Sequence, residues 1–267
     1  MIDREVRVSR LKLGVCAPID SILDVERLGY DFLEGNLSEV ALMTEPGFRR
    51  VYALVGEAGI RVEAMSCMLP RELNVTGRGV DARALHDYLD FSFSRAKRLG
   101  VEVLTLASAS ARQVPEGWPV DLAWRQFSNF LRMLERHAAD YDLTIAVEPL
   151  CRNECNLLAT VSEATLLCSI LQLNHIKVLA DTYHMAMEHE PLSSLVQAGP
   201  LLAHVHTACA LGRSFPKAGD GEDYKALFWA LDQAGYLGRV SVEAGYDNFE
   251  EDAKAAFEVL DAARRTL

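Results

Sequence analysis

The sequence predicts an α/β protein of the (β/α)₈ TIM-barrel class, a parallel eight-stranded barrel, on three observations. Eight short apolar runs rich in Val, Ile and Leu alternate with eight stretches of helical period. Several of the helical stretches end in a glycine that opens the next strand, and no linker or low-complexity segment interrupts the series. Strict β/α alternation implies a parallel sheet, and eight units imply closure. The 267 residues are accordingly read as one barrel domain, 1–267. An open doubly wound sheet is the rival, but it would carry a Gly-rich phosphate loop after strand one. The stretch VCAPIDS at that place is no such loop.

The elements follow in order. Strand one is placed at 11–16 (LKLGVC), with helical period at 20–28. Strand two at 30–34 (YDFLE) leads to a helix at 47–58, and strand three at 60–66 (IRVEAMS) to one at 81–99. Strand four at 101–107 (VEVLTLA) precedes 121–141, and strand five at 143–148 (LTIAVE) precedes 161–173. Strand six at 175–180 (HIKVLA), strand seven at 201–206 (LLAHVH) and strand eight at 239–243 (RVSVE) lead to 191–198, 222–234 and 248–266. Gly29, Gly59, Gly100 and Gly235 close helical stretches, where glycine accepts the left-handed backbone a C-terminus often needs.

Composition narrows the function. Half the residues are apolar and 24% are charged, enough for a sizeable core. A net charge of −11 argues against a nucleic-acid partner, which needs clustered Lys and Arg. No apolar run approaches the roughly 20 residues of a membrane span, and MIDREVRVSR is too charged for the core of a signal peptide. The six cysteines show no zinc-finger spacing and are read as reduced, mostly buried thiols, which favours the cytoplasm.

In such barrels the active site forms where the strands end. The last four strands end in Ala-Val-Glu148, Leu-Ala-Asp181, His-Val-His206 and Ser-Val-Glu243. A lone Glu after a strand is usually an ordinary helix-start residue. Ionisable residues on four consecutive strands, each after an apolar run, are hard to explain that way. Crowded carboxylates must be neutralised, and a divalent cation does so directly. Oxygen and imidazole donors without cysteine suit Mn²⁺ best, with Mg²⁺, Co²⁺ or Zn²⁺ as alternatives.

These residues resemble a known family. Glu148-Pro-Leu-Cys-Arg-Asn-Glu154, Asp181-Thr-Tyr-His184-Met, His204-Val-His206 and Val242-Glu243 look like the xylose-isomerase-like barrels, in particular the D-tagatose/D-psicose 3-epimerase and hydroxypyruvate isomerase branch. The motifs lie in the C-terminal half; the N-terminal half agrees through its βα rhythm. The resemblance implies that Glu148, Asp181, His206 and Glu243 hold the metal. It implies that Glu148 and Glu243 also exchange protons with opposite faces of a substrate carbon. Glu154, His184 and Arg213 match substrate-contacting positions, and Glu34, in Phe-Leu-Glu34-Gly-Asn, resembles a pocket glutamate that joins them. Arg213 lies seven residues after His206, one more than the epimerase spacing, and Cys209 stands where an acidic residue is common. The expected partner is a small sugar or polyol, not nucleic acid or membrane, with a homo-oligomer, dimer or tetramer, left open.

The expected chemistry is metal-dependent sugar isomerisation or epimerisation. Taking a proton from the carbon next to a carbonyl creates an enediolate, whose charge a metal stabilises. A carboxylate takes the proton and a second group returns it. A dehydratase of a keto-inositol or similar keto polyol, using the same first step, is the nearest rival. An apurinic endonuclease would need further His ligands after strands two and three, and LEGN and AMSCML offer none. A non-catalytic barrel would have no use for an intact four-residue ring.

Weaker signals have plainer readings. Glu34 could equally be a barrel-top residue held by a loop. His204, two residues from His206 on one strand face, is read as a structural histidine one layer deeper. His175 is read as structural, and His86, His137 and His189 as solvated. Cys16 and Cys67, at strand ends, are read as packing, and 217–222 as a loop that opens the next helix.

Overall fold

Side chains alternate across a strand, so in a closed barrel every second residue points inward and the rest meet the helices. The computed structural model describes residues 11–267, and the reading of the charged first ten residues lies outside them. Strands β1 (Lys12–Cys16), β2 (Phe32–Asn36), β3 (Arg61–Ser66) and β4 (Val103–Leu106) are followed by β5 (Thr144–Val147), β6 (Ile176–Asp181), β7 (Leu202–Thr207) and β8 (Arg239–Val242). Each pairs in parallel with its neighbour, and β1 pairs with β8 to close the barrel. The open-sheet rival is thereby excluded.

Val15, Leu33, Ile145, Val147, Val178, Val205, Val240 and Val242 point outward into the main core beneath the helices. Each such buried side chain contributes roughly 1.5–3 kcal/mol. The inward residues form layers along the barrel axis. At the N-terminal end Glu63 accepts from Lys12 Nζ at 2.5 Å and from Arg239 Nε at 2.6 Å. Above them Phe32, Ala64, Val103, Ala146 and Leu179 make a small apolar plug. Gly14 is required there, because a Cβ on it would sit 2.3 Å from the Phe32 ring. Buried Glu34, His204 and Ser241 form the next layer, and the ionisable strand ends lie on top.

The helical stretches expected from periodicity are all present. Asp81 caps helix Ala82–Arg98 by accepting two backbone N–H groups, and Thr160 with Glu163 forms a capping box on Val161–Leu171. Three further helices, Leu37–Leu42, Ala109–Arg112 and Thr182–Met187, follow strand ends at the C-terminal mouth. None exceeds six residues, too short to show a helical period. Among the described residues no helix is long and apolar enough to cross a membrane.

Two expectations are corrected. β2 begins at Phe32 and runs to Asn36, which puts Glu34 in mid-strand instead of at its end. Asp31, expected within the strand, instead accepts Leu13 N–H and Arg264 Nη1, both at 2.8 Å, and ties the strand's entry to the last helix. His137 is buried and packs edge-on to His86 at 4.4 Å and to Phe93 at 6.1 Å; it is not solvated. His175 bonds Glu135 at 3.0 Å, a structural placement as expected.

Candidate metal centre

Glu148 and Glu243 directly follow β5 and β8, while Asp181 ends β6 and His206 is the penultimate residue of β7. Asp181 and His206 face each other in register, so the ring follows from strand pairing. One ligand atom from each of Glu148, Asp181, His206 and Glu243 lies within 4.8 Å of all the others. Glu148, Asp181 and His206 are buried, and Glu243 is partly open to the cleft.

The donor atoms are prepared individually. Asp181 Oδ1 accepts Tyr183 N–H at 2.8 Å as the cap of helix Thr182–Met187, which turns Oδ2 toward the ring. His206 Nδ1 lies 3.5 Å from both Glu148 Oε1 and Glu243 Oε2. Among the described residues Nδ1 of His206 and both carboxylate oxygens of Glu148 are buried with no hydrogen-bond partner. Orphaned buried acceptors are costly and rare in folded proteins. Here they converge with two more carboxylates, a set of oxygen and nitrogen donors that fits a divalent metal ion.

Glu34 lies beneath this ring. Burial alone would push its carboxyl up, but the imidazoles of His206 and His204 hold it well below the usual carboxylate range. An ionised carboxylate only accepts, so both histidines donate to it: His204 Nε2 at 2.7 Å and His206 Nε2 at 2.9 Å. The lone pair of His206 Nδ1 is therefore the one offered to the ring. His204 takes the deeper, hydrogen-bonded place expected of it. Glu34, expected beside the substrate, has no exposed surface and both of its oxygens are taken.

The electrostatics follow from crowding. Burial, then Glu148 and Glu243, pushes Asp181 up to about 7. Glu148 is raised by burial and by Glu243. For Glu243 burial acts upward, but His206 and Arg213 bring it down to about 2. Burial alone would lower His206, yet Glu34, Glu243 and Glu148 hold it well above the usual histidine value.

The remaining candidates border the same space. His184 Nδ1 accepts Cys151 N–H at 3.2 Å, so its proton sits on Nε2, 3.6 Å from Asp181 Oδ2 and 3.8 Å from Glu148 Oε1. Burial, aided by Arg213, lowers His184 to about 3 and keeps it neutral. Arg213 Nη2 donates to Glu243 Oε2 at 2.7 Å and to Asp181 Oδ2 at 3.4 Å, while Nη1 donates to Glu154 Oε1 at 3.4 Å. Gly212 and Arg213 both have left-handed backbone, φ 75° and 46°, and Cys209 N–H closes the loop on Ser214 O at 2.9 Å. That turn absorbs the extra residue and brings the guanidinium in. Cys209 itself is buried, with its thiol near Asp220 O, away from the ring.

A cleft of about 530 Å³ opens from Glu148, Glu154, Arg213 and Glu243 past Cys67 toward the loops after β2, β3 and β4. Cys67, read as packing, thus lines the cleft. Sequence reasoning missed Arg112, only 1% exposed, whose Nη2 donates to the Glu148 carbonyl oxygen at 2.5 Å. Its four-residue helix offers no periodicity to point to it.

A closed (β/α)₈ barrel whose C-terminal mouth gathers three carboxylates and one imidazole defines a TIM-barrel protein with a divalent-metal type of centre. The chain belongs to the xylose isomerase-like TIM barrel family, whose model matches residues 22–263. It is 30% identical over 132 residues to 3-dehydro-D-guloside 4-epimerase of Escherichia coli (strain K12), a match spanning 49% of this chain and 49% of that protein. It is 24% identical over 228 residues to D-psicose 3-epimerase of Agrobacterium fabrum, covering 82% of this chain and 76% of the relative. The fold resembles the crystal structure of D-allulose 3-epimerase from Methylomonas sp. in complex with D-allulose, with TM-score 0.82 and 21% identity. That likeness covers 95% of this chain and 97% of the other, and at such identity it speaks to the fold alone.

Proposed function

We propose that the protein is a metal-dependent sugar isomerase or epimerase that moves a proton on the carbon next to a carbonyl. The observation that carries this reading is the ring itself, with orphaned buried donors from consecutive strands and two glutamates, Glu148 and Glu243, on either side of His206. The family and the epimerases it resembles support it.

Glu148, Asp181, His206 and Glu243 would hold the ion, Mn²⁺ by preference, with Mg²⁺, Co²⁺ or Zn²⁺ compatible with the donors. When bound, it supplies a Lewis acid for the negative charge that develops on the substrate's oxygens. One of Glu148 and Glu243 accepts the carbon-bound proton, and the electron pair moves toward the carbonyl oxygen to give an enediolate. The other glutamate returns a proton: to the opposite face for epimerisation, or to the neighbouring carbon for isomerisation. The Nε2–H of neutral His184 and the guanidinium of Arg213 donate to substrate oxygens, and Glu154 accepts from a hydroxyl. Glu34 orients His206 and does not meet the substrate. A net charge of −11 and free thiols support a small-molecule enzyme of the cytoplasm that does not engage nucleic acid.

The test is to load the protein with Mn²⁺ and incubate it in D₂O with a panel of ketoses and keto polyols. Deuterium on the carbon next to the carbonyl, lost on chelation, is the expected result. Product formation without any solvent hydrogen would point to a hydride shift and sink the two-glutamate scheme. A product lighter by one water would instead mark a dehydratase.

A further inference from the structure

The cleft runs on well beyond the ring and the residues assigned to the sugar. Its volume of about 530 Å³ equals the liquid share of about eighteen waters at ~30 Å³ each. A ketol unit held at the ring displaces only a small part of that. The outer half is walled by Leu42, Leu69, Pro70, Arg71, Glu72 and Ser110, on the loops after β2, β3 and β4.

This wall is shaped, not incidental. β3 and β4 both run into non-glycine residues with left-handed backbone, Cys67 at φ 51° and Ser108 at φ 36°. Such conformations cost on the order of 1–3 kcal/mol each and persist where the surroundings over-determine them. Here the two turns are tied together, as Leu69 N–H donates to Ser108 Oγ at 3.1 Å. The chemistry of the wall suits a polyhydroxylated group. Leu42, 77% exposed, offers an apolar platform to the C–H face of a sugar ring. Arg71 and Glu72 are adjacent and exposed, a fivefold donor beside a strong acceptor. Neither makes an ion pair or hydrogen bond among the described residues, so both remain available to hydroxyls.

We propose that the outer cleft is a second subsite, and that the substrate is a keto-sugar carrying a further polar ring, a glycoside and not a free monosaccharide. Arg71 and Glu72 bind hydroxyls of that added ring and set the preference for it. This rests on the proton-transfer reading of the ring.

The Mn²⁺-loaded protein is assayed in D₂O for turnover and deuterium uptake on two substrates, a free ketohexose and a disaccharide with a keto group on one ring. The expected result is a kcat/KM at least about tenfold higher for the disaccharide, about 1.4 kcal/mol of added binding. Arg71→Ala and Glu72→Ala should each lower the disaccharide-to-ketohexose ratio several-fold, chiefly through KM, with Mn²⁺ uptake and melting temperature unchanged. Equal or better use of the ketohexose by the wild type overturns the inference while leaving the proton-transfer reading intact. An undiminished ratio in both variants removes Arg71 and Glu72 from the subsite and overturns the assignment. No exchange with either substrate, metal being bound, overturns both readings together.

Discussion

His206 donates its Nε2–H to Glu34 Oε1 at 2.9 Å, and that bond decides which imidazole nitrogen the ring receives. With Nε2 committed, Nδ1 faces Glu148 and Glu243 at 3.5 Å each. A carboxylate behind a ligating histidine fixes its tautomer and raises its basicity, and losing it typically costs 10–100-fold in metal affinity. Glu34→Ala is therefore expected to weaken metal binding by roughly that factor. Glu34→Gln should fall between, since its amide oxygen can serve only one of the two histidines. Metal titration of the chelator-stripped proteins measures both, and unchanged affinity in Glu34→Ala would remove Glu34 from the centre.

Protons and metal compete for the same atoms. Burial and its two glutamate neighbours put Asp181 at about 7; Glu148 is raised by burial and Glu243; and His206 stands high because three carboxylates outweigh burial. Each must lose its proton to bind metal, so affinity should rise with pH and uptake should release protons. Calorimetry in buffers of different ionisation enthalpy reads that release.

The same shifts fix the sign for the metal-free fold. Asp181 holds its proton more tightly folded than unfolded, where a carboxyl titrates near ~3.9. Between about pH 4 and 7 its contribution to stability therefore falls as pH rises. Glu243, brought to about 2, acts oppositely: its contribution is present above the ordinary carboxylate value and is lost as pH falls toward 2. For His206, raised folded, the contribution is full below the ordinary histidine value and is lost only as pH climbs through its high folded value. Metal-free Asp181→Asn, which keeps an oxygen for Tyr183 N–H, should melt above the metal-free wild type near pH 7.5 and converge with it near pH 5. A constant gap across that range would contradict the shift assigned to Asp181.

His184, Glu154 and Arg213 test whether substrate handling separates from metal binding. Cys151 N–H occupies His184 Nδ1, leaving Nε2–H to reach a sugar oxygen. His184→Ala and Glu154→Ala are expected to keep metal content and lose most turnover. With His184 lowered to about 3, no histidine step from this residue should appear in the rate profile between about pH 5 and 8. Arg213→Ala should act mainly on KM. Loss of metal from His184→Ala would make His184 a ligand and undo the division.

The ring was open to sequence reasoning because alternation and strand ends are local properties. An apolar outward face on β5 to β8 obliges the intervening residues to point inward, and the last of these are Glu148, Asp181, His206 and Glu243. Glu34 was placed less well because Tyr30 and Asp31 are as strand-like as their neighbours. Only the bonds of Asp31 to Leu13 and Arg264, distant in sequence, show that the strand starts later. His137 was within reach, since it continues the buried face of Phe130 and Leu134 at helical spacing. Arg112 was not, because its partner is a backbone carbonyl that no side-chain pattern announces.

Arg112 gives the next prediction. It is a buried guanidinium that holds the Glu148 carbonyl, while its Nε and Nη1 have no partner among the described residues. Arg112→Met should displace the Glu148 backbone, lower kcat more than it raises KM, and weaken metal binding. Arg112→Lys, which can still donate to that carbonyl, should restore part of both. Equal losses of folding stability in Met and Lys, with kcat per folded, metal-loaded molecule unchanged, would reduce Arg112 to a packing residue.

The last prediction separates ligand from base in Glu148 and Glu243. They follow β5 and β8, on either side of His206, and Arg213 bonds Glu243 while Glu148 is fully buried with both oxygens unpartnered. If each serves one face of the reacting carbon, each should control deuterium uptake from one epimer only. Glu148→Gln and Glu243→Gln keep the shape and an oxygen for the metal but remove the base. Each should lower turnover on the order of 10²–10⁴-fold. The informative reading is wash-in: one variant should still exchange the proton of the first epimer without converting it, and the other should do so for the second. Metal content, measured on the same samples, guards against simple loss of the ion. Should both variants lose exchange from both epimers in equal measure with the metal retained, the two glutamates would not divide the faces between them. The acid and base would then have to be sought among His184, Glu154 and the substrate's own hydroxyls.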